Sequence, residues 1–236
     1  MFDTAGGVDE EDMKENASCL FTFHPHGILC CGWSLCGSMS LELSKANIYF
    51  MGTDVLFSLP LISDMLTWYH SGAANKENML ARMKKGENLA LLPGGFEEAT
   101  IFAYGKHRVY IKRRAGFIKY ALQHGYKILP TYTFGEEYTY YNISSFLKLR
   151  MYCNTFKLPG VAFFGQWFAP FMPLGDAELT TVVGKPLQLP TIQDPSKEDV
   201  ALWHGKVGKG GGERGRGGEG KRDASTHWRV VSVYAV

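Results

Sequence analysis

The sequence predicts an α/β protein with a mixed central sheet flanked by helices. Short apolar runs, typical of buried strands, alternate with segments in which apolar residues recur at helical spacing. The chain has 236 residues, of which 45% are hydrophobic and 20% charged, so it can bury a substantial core. This composition excludes wholesale disorder, and the length suits one large domain.

The strand predictions rest on five apolar runs. They cover residues 19–23, 47–51, 88–92, 126–134 and 180–183. The first and third runs end in turns rich in proline and glycine, which are residues that interrupt regular structure. We therefore expect two strand ends that lead directly into exposed turns.

Helical spacing appears between these strands. Leu35, Met39 and Leu43 recur at i, i+4 and i+8, which is one face of a helix. Two further predicted helices end before a glycine at the position where a left-handed residue commonly closes a helix. They are residues 77–85 before Gly86 and residues 115–124 before Gly125.

The charge distribution divides the chain into three parts. Residues 1–16 form an acidic leader that we expect to be mobile, and residues 17–204 form the main domain. Residues 205–222 carry six Lys or Arg against two Glu, so the formal net charge of +2 belongs to the end of the chain. Residues 1–204 have a net charge of −2, and no nucleic-acid partner is predicted.

The segment from residue 205 to residue 236 is predicted to be a disordered tail rich in Gly and Arg. Half of residues 205–222 are glycine, and no hydrophobic periodicity is present. One interpretation is a linker, and another is an RNA-binding segment. A third is that this tail is non-native translated sequence, such as a retained intron, because it interrupts a helical pattern that begins at Ser196.

Residues 158–175 are the most apolar stretch and contain no charged side chain. They are close to the minimum length for a membrane span, but three prolines and three glycines disfavour a continuous helix. Two alternatives remain open. The segment is either a surface that enters lipid headgroups, as its aromatic residues suggest, or part of the buried core.

The strongest candidate site is the turn that follows the first strand. It consists of His24, Pro25, His26 and Gly27. Ligands of open α/β sheets bind outside the carboxyl ends of the strands, and histidine can accept and return a proton near neutral pH. The alternative is an ordinary turn with two partly exposed histidines.

The second candidate follows the third strand. Pro93, Gly94 and Gly95 form a turn that is followed by Glu97 and Glu98. Backbone N–H groups of such a turn can hold a developing oxyanion, and a carboxylate beside it can orient a histidine. The alternative is a helix N-terminus at which the two carboxylates complement the dipole.

A basic patch is the third candidate. Six cationic or potentially cationic residues lie within nine positions and suit a phosphate-rich ligand, although a solvated face is the alternative. They are Lys106, Arg108, Lys112, Arg113 and Arg114, together with His107.

Together, these motifs resemble the type-2 diacylglycerol acyltransferase family, which includes monoacylglycerol acyltransferases and wax-ester synthases. Five blocks carry the resemblance in the same order along the chain, from about Leu20 to His204. They are FTFHPHG, LLPGGFEE, KRRAGFIKYALQHG, ILPTYTFGEE and TTVVGKPLQLP.

The resemblance implies a membrane-associated fold like that of glycerolipid acyltransferases and a location in the endoplasmic-reticulum membrane. It implies transfer of a fatty acyl group from acyl-CoA to the hydroxyl of diacylglycerol, which forms triacylglycerol. The acceptor could equally be a monoacylglycerol or a fatty alcohol. Acyl-CoA is then a substrate, no cofactor or metal is expected, membrane lipid is a partner, and homo-oligomers remain open.

The family motifs give each candidate residue a role. His26 is expected to be the general base, with His24 and Glu98 as further catalytic residues. Gly27, Gly94 and Gly95 are expected to offer oxyanion donors. Lys106, Arg108, Lys112, Arg113 and Arg114 are expected to hold the CoA phosphates.

Two alternatives compete with this interpretation. The segment before the HPHG turn is short, and the tail stands where an amphipathic helix is expected, so the chain looks truncated at both ends. An inactive or lipid-binding family member is therefore one alternative. A metal-dependent hydrolase is the other, because some metal sites begin with HxH at a strand end.

Overall fold

The computed structural model describes residues 8–58, 60–110, 115–156, 160–212 and 229–234. The predicted CoA-binding residues Lys112, Arg113 and Arg114 lie outside these ranges. All five predicted strands are present, with ends that differ by at most two residues from the prediction. The observed strands are β1 (Cys19–His24), β2 (Tyr49–Gly52), β3 (Ser71–Ala73), β4 (Leu89–Leu91), β5 (Lys127–Phe134), β6 (Tyr141–Asn142), β7 (Phe163–Phe164), β8 (Glu178–Val183), β9 (Leu187–Gln188) and β10 (Arg229–Tyr234).

Described residues form an eight-stranded mixed sheet with the order β10-β8-β5-β1-β4-β2-β3, in which β9 also pairs with β5. Strand β1 lies between β4 and β5 and is parallel to both. Strands β8 and β9 are antiparallel to β5, and β6 and β7 form a separate two-stranded sheet. The mixed sheet predicted from the sequence is therefore confirmed, and the HPHG turn extends from its centre.

Helices flank this sheet, as predicted. The α-helices are α1 (Leu41–Ser44), α2 (Asp54–Phe57), α3 (Ile62–Trp68), α4 (Lys76–Met83), α5 (Gly95–Ile101), α6 (Gly116–His124), α7 (Leu147–Cys153) and α8 (Lys197–Gly212). A π-helix spans Gly32–Ser38, and short 3-10 helices span Glu10–Met13, Glu136–Tyr138 and Asn154–Phe156.

Alternate residues of β1 face two different helix layers. Leu20 packs in a cluster with Met79 of α4 and Leu122 of α6. Phe21 and Phe23 pack in a second cluster on the other face. Because successive strand residues point to opposite faces, His24 lies on the face of Leu20, at the carboxyl end of the strand.

The predicted helix with Leu35, Met39 and Leu43 on one face is instead two separate segments. The π-helix ends at Ser38, and α1 begins after Ser40. The hydroxyl of Ser40 accepts hydrogen bonds from the backbone N–H groups of Glu42 and Leu43, so Ser40 acts as an N-cap that starts a new helix. Met39 lies at the break and is exposed.

The acidic leader also differs from the prediction. The short 3-10 helix Glu10–Met13 packs on the domain, with Met13 in the second core cluster. The buried carboxylate of Asp12 accepts a hydrogen bond from the ammonium group of Lys127 at 2.5 Å. The buried side chain of Met13 and the contact between Asp12 and Lys127 thus hold a segment whose composition alone suggested mobility.

Two segments of the predicted tail have regular structure. Helix α8 continues beyond residue 204 to Gly212, and β10 pairs antiparallel with β8. The sequence of β10 is RVVSVY, and its β-branched and aromatic residues favour a strand. The structure therefore differs from the prediction of disorder over these two segments, while residues 213–228 lie outside the described ranges.

The apolar stretch predicted at residues 158–175 is largely exposed in its described part, residues 160–175. Trp167 is 91% exposed and Phe171 76% exposed, and Phe164, Phe168 and Met172 are also exposed. Of the two alternatives, a buried core segment is thus wrong for these side chains. None of the helices in the described ranges is long and apolar enough to cross a bilayer.

Candidate functional site

The HPHG turn lies at the carboxyl end of β1, in the middle of the parallel part of the sheet. His24 is the last residue of β1, and His26 and Gly27 follow in the turn. The next strand end along the sheet belongs to β4, which leads into the PGG turn and α5. The two strongest sequence motifs therefore meet at one edge, as expected from the parallel strand order.

Glu98 connects the two motifs. Its buried carboxylate accepts a hydrogen bond from the backbone N–H of His26 at 2.5 Å and another from the N–H of Tyr110 at 2.8 Å. Nδ1 of His24 lies 3.7 Å from the same carboxylate. Burial raises the pKa of Glu98, but His24 and the two N–H donors lower it more, so the net shift in pKa is downward.

Glu98 contacts the ring of only one of the two histidines. The sequence indicated that a carboxylate of the second turn can orient a histidine, and the carboxylate contacts the ring of His24 and only the backbone of His26. Nδ1 of His24 is buried and makes no hydrogen bond. Glu98 therefore fixes the turn itself and the first of its two histidine rings.

The His26 ring is in contact with a thiol. Its Nδ1 lies 3.1 Å from the carbonyl oxygen of Gly27, and Sγ of Cys30 lies 3.4 Å from Nδ1 and 3.5 Å from Nε2. Burial lowers the pKa of His26, which favours the neutral imidazole. Burial also raises the pKa of the Cys30 thiol well above its ordinary value. The pair is therefore neutral.

A second buried glutamate, Glu136, packs against Gly27 of the turn and binds the backbone that follows it. It follows β5, and its carboxyl oxygens accept hydrogen bonds from the N–H groups of Cys31 at 3.0 Å and Gly32 at 2.6 Å. Burial raises its pKa to about 8. A Cβ added at Gly27 would collide with the Glu136 side chain, and Gly27 has a positive φ of 63°. Glycine is thus required on both grounds.

The glycines of the second turn serve partly as packing residues. A Cβ added at Gly94 would collide with the Glu98 carboxylate, so this glycine lets the carboxylate approach the backbone. The N–H of Gly95 donates to the carbonyl of Leu92 at 3.2 Å, and α5 begins here. The Gly95 N–H is therefore engaged in the turn, while Glu97 and Glu98 lie in the first turn of the helix.

The structure describes part of the basic patch. Lys106 is exposed, whereas Arg108 is half-buried and donates a hydrogen bond to the carbonyl of Ile101 at 2.8 Å. Binding of CoA phosphates by Lys106 and Arg108 stays a prediction. His107, which lies between them in the chain, contacts a carboxylate and a tyrosine hydroxyl instead.

His107, which the sequence placed in the basic patch, belongs instead to a group with two side chains that had no predicted role, Tyr132 and Glu137. Its Nε2 lies 3.0 Å from a carboxylate oxygen of Glu137, and its Nδ1 lies 3.2 Å from the hydroxyl of Tyr132. Tyr132 and Glu137 belong to the ILPTYTFGEE block, at and after the end of β5. A strand followed by two acidic residues was the available signal for a site here.

Within the described ranges, no group of three or more His, Cys, Asp or Glu side chains is placed to hold a metal ion. The contacts described above bring His24, His26 and His107 to carboxylates, a thiol and a tyrosine hydroxyl. This arrangement suits acid–base chemistry at a hydroxyl group.

The fold and site thus define an α/β protein with a histidine–carboxylate site at the edge of a parallel sheet. Residues 6–209 match the family model for diacylglycerol acyltransferase. The chain therefore belongs to the diacylglycerol acyltransferase family, which confirms the resemblance seen in the sequence.

Individual relatives agree with this assignment. Diacylglycerol O-acyltransferase 2 of Dictyostelium discoideum is 28% identical over 82% of this chain and 63% of its own length. Diacylglycerol O-acyltransferase 2-like protein 6 of Homo sapiens is 30% identical over 84% of this chain and 65% of its own length. Acyl-CoA wax alcohol acyltransferase 2 of Mus musculus is 26% identical over 84% of this chain and 64% of its own length.

The chain spans somewhat less than two thirds of the length of these relatives. No solved structure matches it significantly.

Proposed function

We propose that this protein is an acyl-CoA-dependent O-acyltransferase that transfers a fatty acyl group to the hydroxyl of diacylglycerol and forms triacylglycerol. Family membership supports this class of reaction. The observation that carries the proposal is the HPHG turn, in which a neutral imidazole lies beside a histidine–carboxylate pair at the ligand-binding edge of the sheet.

In this proposal His26 is the general base. Its lowered pKa leaves the ring unprotonated and able to accept the proton of the acceptor hydroxyl. The oxygen then attacks the thioester carbonyl, a new C–O bond forms, and the C–S bond breaks. The proton held by His26 passes to the departing thiolate of CoA, so the ring returns to its neutral form.

The other predicted residues support this step. Glu98 fixes His24 and the backbone of His26, and Gly27 lets the Glu136 side chain pack against the turn. Lys106 and Arg108 are proposed to bind the CoA phosphates, since both lie on the segment that follows α5. Thiolates are good leaving groups, so direct transfer needs neither a cofactor nor an acyl-enzyme.

We propose that exposed aromatic residues contact lipid. Trp167, Phe168 and Phe171 lie together in the chain after β7, and each is more than half exposed. Aromatic side chains are favoured at membrane–water interfaces, where both substrates of this reaction would be found. The proposed location is the endoplasmic-reticulum membrane.

Radiolabelled acyl-CoA and diacylglycerol, supplied to microsomes that contain the full chain, test the function. Wild type is expected to form labelled triacylglycerol, and His26→Ala is expected to lose at least about 10²-fold in rate, as for removal of a general base. His70→Ala is the matched control, because His70 is exposed and precedes β3 at the opposite edge of the sheet.

Each outcome has a distinct meaning. Transfer by His26→Ala at the wild-type rate would contradict the general-base role. Lipid binding by wild type without any transfer would instead support the inactive family member. Parallel assays with monoacylglycerol and a long-chain alcohol identify the preferred acceptor.

A further inference from the structure

Glu137, His107 and Tyr132 form a continuous hydrogen-bonded chain. The distances are 3.0 Å from Glu137 to Nε2 of His107 and 3.2 Å from Nδ1 of His107 to the tyrosine hydroxyl. Glu137 is buried, whereas the ring of His107 is half exposed. A carboxylate, an imidazole and a hydroxyl linked in this order are the parts from which catalytic acid–base and oxyanion sites are built.

The fold brings this chain to the edge where the HPHG turn lies. Tyr132 of β5 is the register partner of His24 of β1, and the two strands are parallel. Ile128 of β5 packs in the same core cluster as Leu20 of β1, which fixes the face of the sheet for both strands. By alternation, Tyr132 and His24 lie side by side on this face.

The surroundings of Tyr132 keep its hydroxyl protonated. Burial raises the pKa of Tyr132, and the negative charges of Glu137 and Glu98 raise it further. A hydroxyl that keeps its proton is a hydrogen-bond donor. The hydroxyl has one proton and two acceptor lone pairs, so it can accept a hydrogen bond from Nδ1 of His107 and donate its own proton to a substrate oxygen.

A donor at this place meets a need of the proposed reaction. The thioester carbonyl oxygen gains negative charge as the acceptor hydroxyl attacks, and preorganised donors stabilise it. Sequence analysis assigned this task to glycine N–H groups, but the N–H of Gly95 is bonded to Leu92. A side-chain donor beside His24 would therefore complement any glycine N–H that remains available.

We propose that the Tyr132 hydroxyl donates a hydrogen bond to the carbonyl oxygen of the acyl-CoA thioester, and that His107 and Glu137 are positioning residues that direct its proton. No proton transfer from Tyr132 is involved. As the new C–O bond forms, the carbonyl π electrons move to the oxygen that Tyr132 holds, and they return when the C–S bond breaks. This role rests on the proposed acyltransferase function.

Kinetics of matched variants test the role. Tyr132→Phe keeps the ring, removes the hydroxyl, and is expected to lower kcat about 10²-fold, as for loss of one oxyanion donor, with KM for acyl-CoA changed less than about 3-fold. His107→Ala is expected to lose about 10-fold. The double variant should lose no more than Tyr132→Phe alone, because His107 acts through the hydroxyl. Tyr138→Phe, an exposed neighbour, is the control.

Binding of two CoA analogues provides a readout that needs no turnover. A 2-oxoalkyl-CoA ketone presents a carbonyl oxygen, and an alkyl-CoA thioether of equal length does not. The wild-type chain is expected to bind the ketone more tightly, and Tyr132→Phe to lose this preference by about 10-fold while its affinity for the thioether is unchanged. Near-wild-type circular dichroism and thermal unfolding establish that the variant is folded.

The outcomes separate this role from the proposed function. A wild-type chain that transfers acyl groups, together with Tyr132→Phe at the wild-type rate and with an unchanged ketone preference, overturns the role of Tyr132 alone. A folded wild-type chain that neither transfers acyl groups nor binds either analogue contradicts the proposed function and the inferred role together.

Discussion

Glu98 and Glu136 are both buried beside the His24–Gly27 turn, yet their pKa values move in opposite directions. Glu98 accepts from two backbone N–H groups and also faces the ring of His24, and its pKa is lowered. Glu136 also accepts from two N–H groups, but burial raises its pKa to about 8, and the charge of Glu137 adds to this shift. A histidine beside one carboxyl and a second carboxylate beside the other thus distinguish an anionic support from a neutral one.

The two glutamates therefore have different roles beside the turn. The charged Glu98 provides electrostatic stabilisation to the histidine side of the site. The neutral Glu136 binds the N–H groups at the start of the π-helix and adds no charge beside the turn. Three variants test this view, and they follow in order of expected effect.

Glu98→Ala is expected to have the largest effect. It leaves the N–H groups of His26 and Tyr110 without an acceptor and removes the carboxylate beside His24. Leaving a buried N–H group without an acceptor costs about 1–3 kcal/mol, so chemical denaturation should show a loss of stability of at least this order. Acyl transfer should fall by at least about 10²-fold. A stable and fully active Glu98→Ala protein would contradict the anchoring role.

Glu136→Gln is expected to change the pH dependence of stability. The carboxyl has its ordinary pKa of 4.5 in the unfolded chain and a pKa of about 8 in the folded protein. Between these two pH values the folded state therefore binds more protons than the unfolded state. The contribution of Glu136 to the free energy of unfolding is fully present below about pH 4.5 and is lost as the pH rises to about 8.

Urea unfolding at several pH values measures this effect. Glu136→Gln should flatten the decline between about pH 4.5 and 8. Glu98→Gln is the comparison, because a lowered folded pKa gives stability that is present above 4.5 and lost as pH falls. If Glu136→Gln and wild type show the same slope from pH 5 to 8, Glu136 is not the neutral member of the two.

Cys30→Ala is expected to have the smallest effect. The thiol touches the His26 ring, but burial raises its pKa and direct transfer does not use it. The rate should remain within about 3-fold of wild type, with Cys153→Ala as a control thiol away from the turn. A loss above about 10², together with hydroxylamine-labile acyl label on Cys30, would instead indicate an acyl-enzyme.

The local motifs of this site were readable from the sequence, but their partners were not. His26, Gly27 and Glu98 lie in turns whose composition marks them directly. Which histidine ring Glu98 touches depends on backbone placement within an ångström. Tyr132 lies beside His24 because β5 pairs with β1. The order of strands in a sheet is not encoded in any local sequence pattern.

Similar reasoning applies to the fold. The long apolar strands and the glycine-terminated helices α4 and α6 were predicted because periodicity and caps are local signals. The break at Met39 was missed because the Ser40 cap competes with a regular apolar spacing. Strand β3 has the sequence Ser-Gly-Ala and lacks the apolar run that identified the equally short β4.

The central position of β1 also limits which changes this gene can accumulate. His24 and Phe23 face opposite layers, and both neighbouring strands are paired in register with β1. Inserting or deleting one residue before His24 would exchange the two faces, placing an aromatic ring at the reactive edge and an imidazole in the core. The strand can therefore vary in composition but not in length, and natural variants should show substitutions without gaps here.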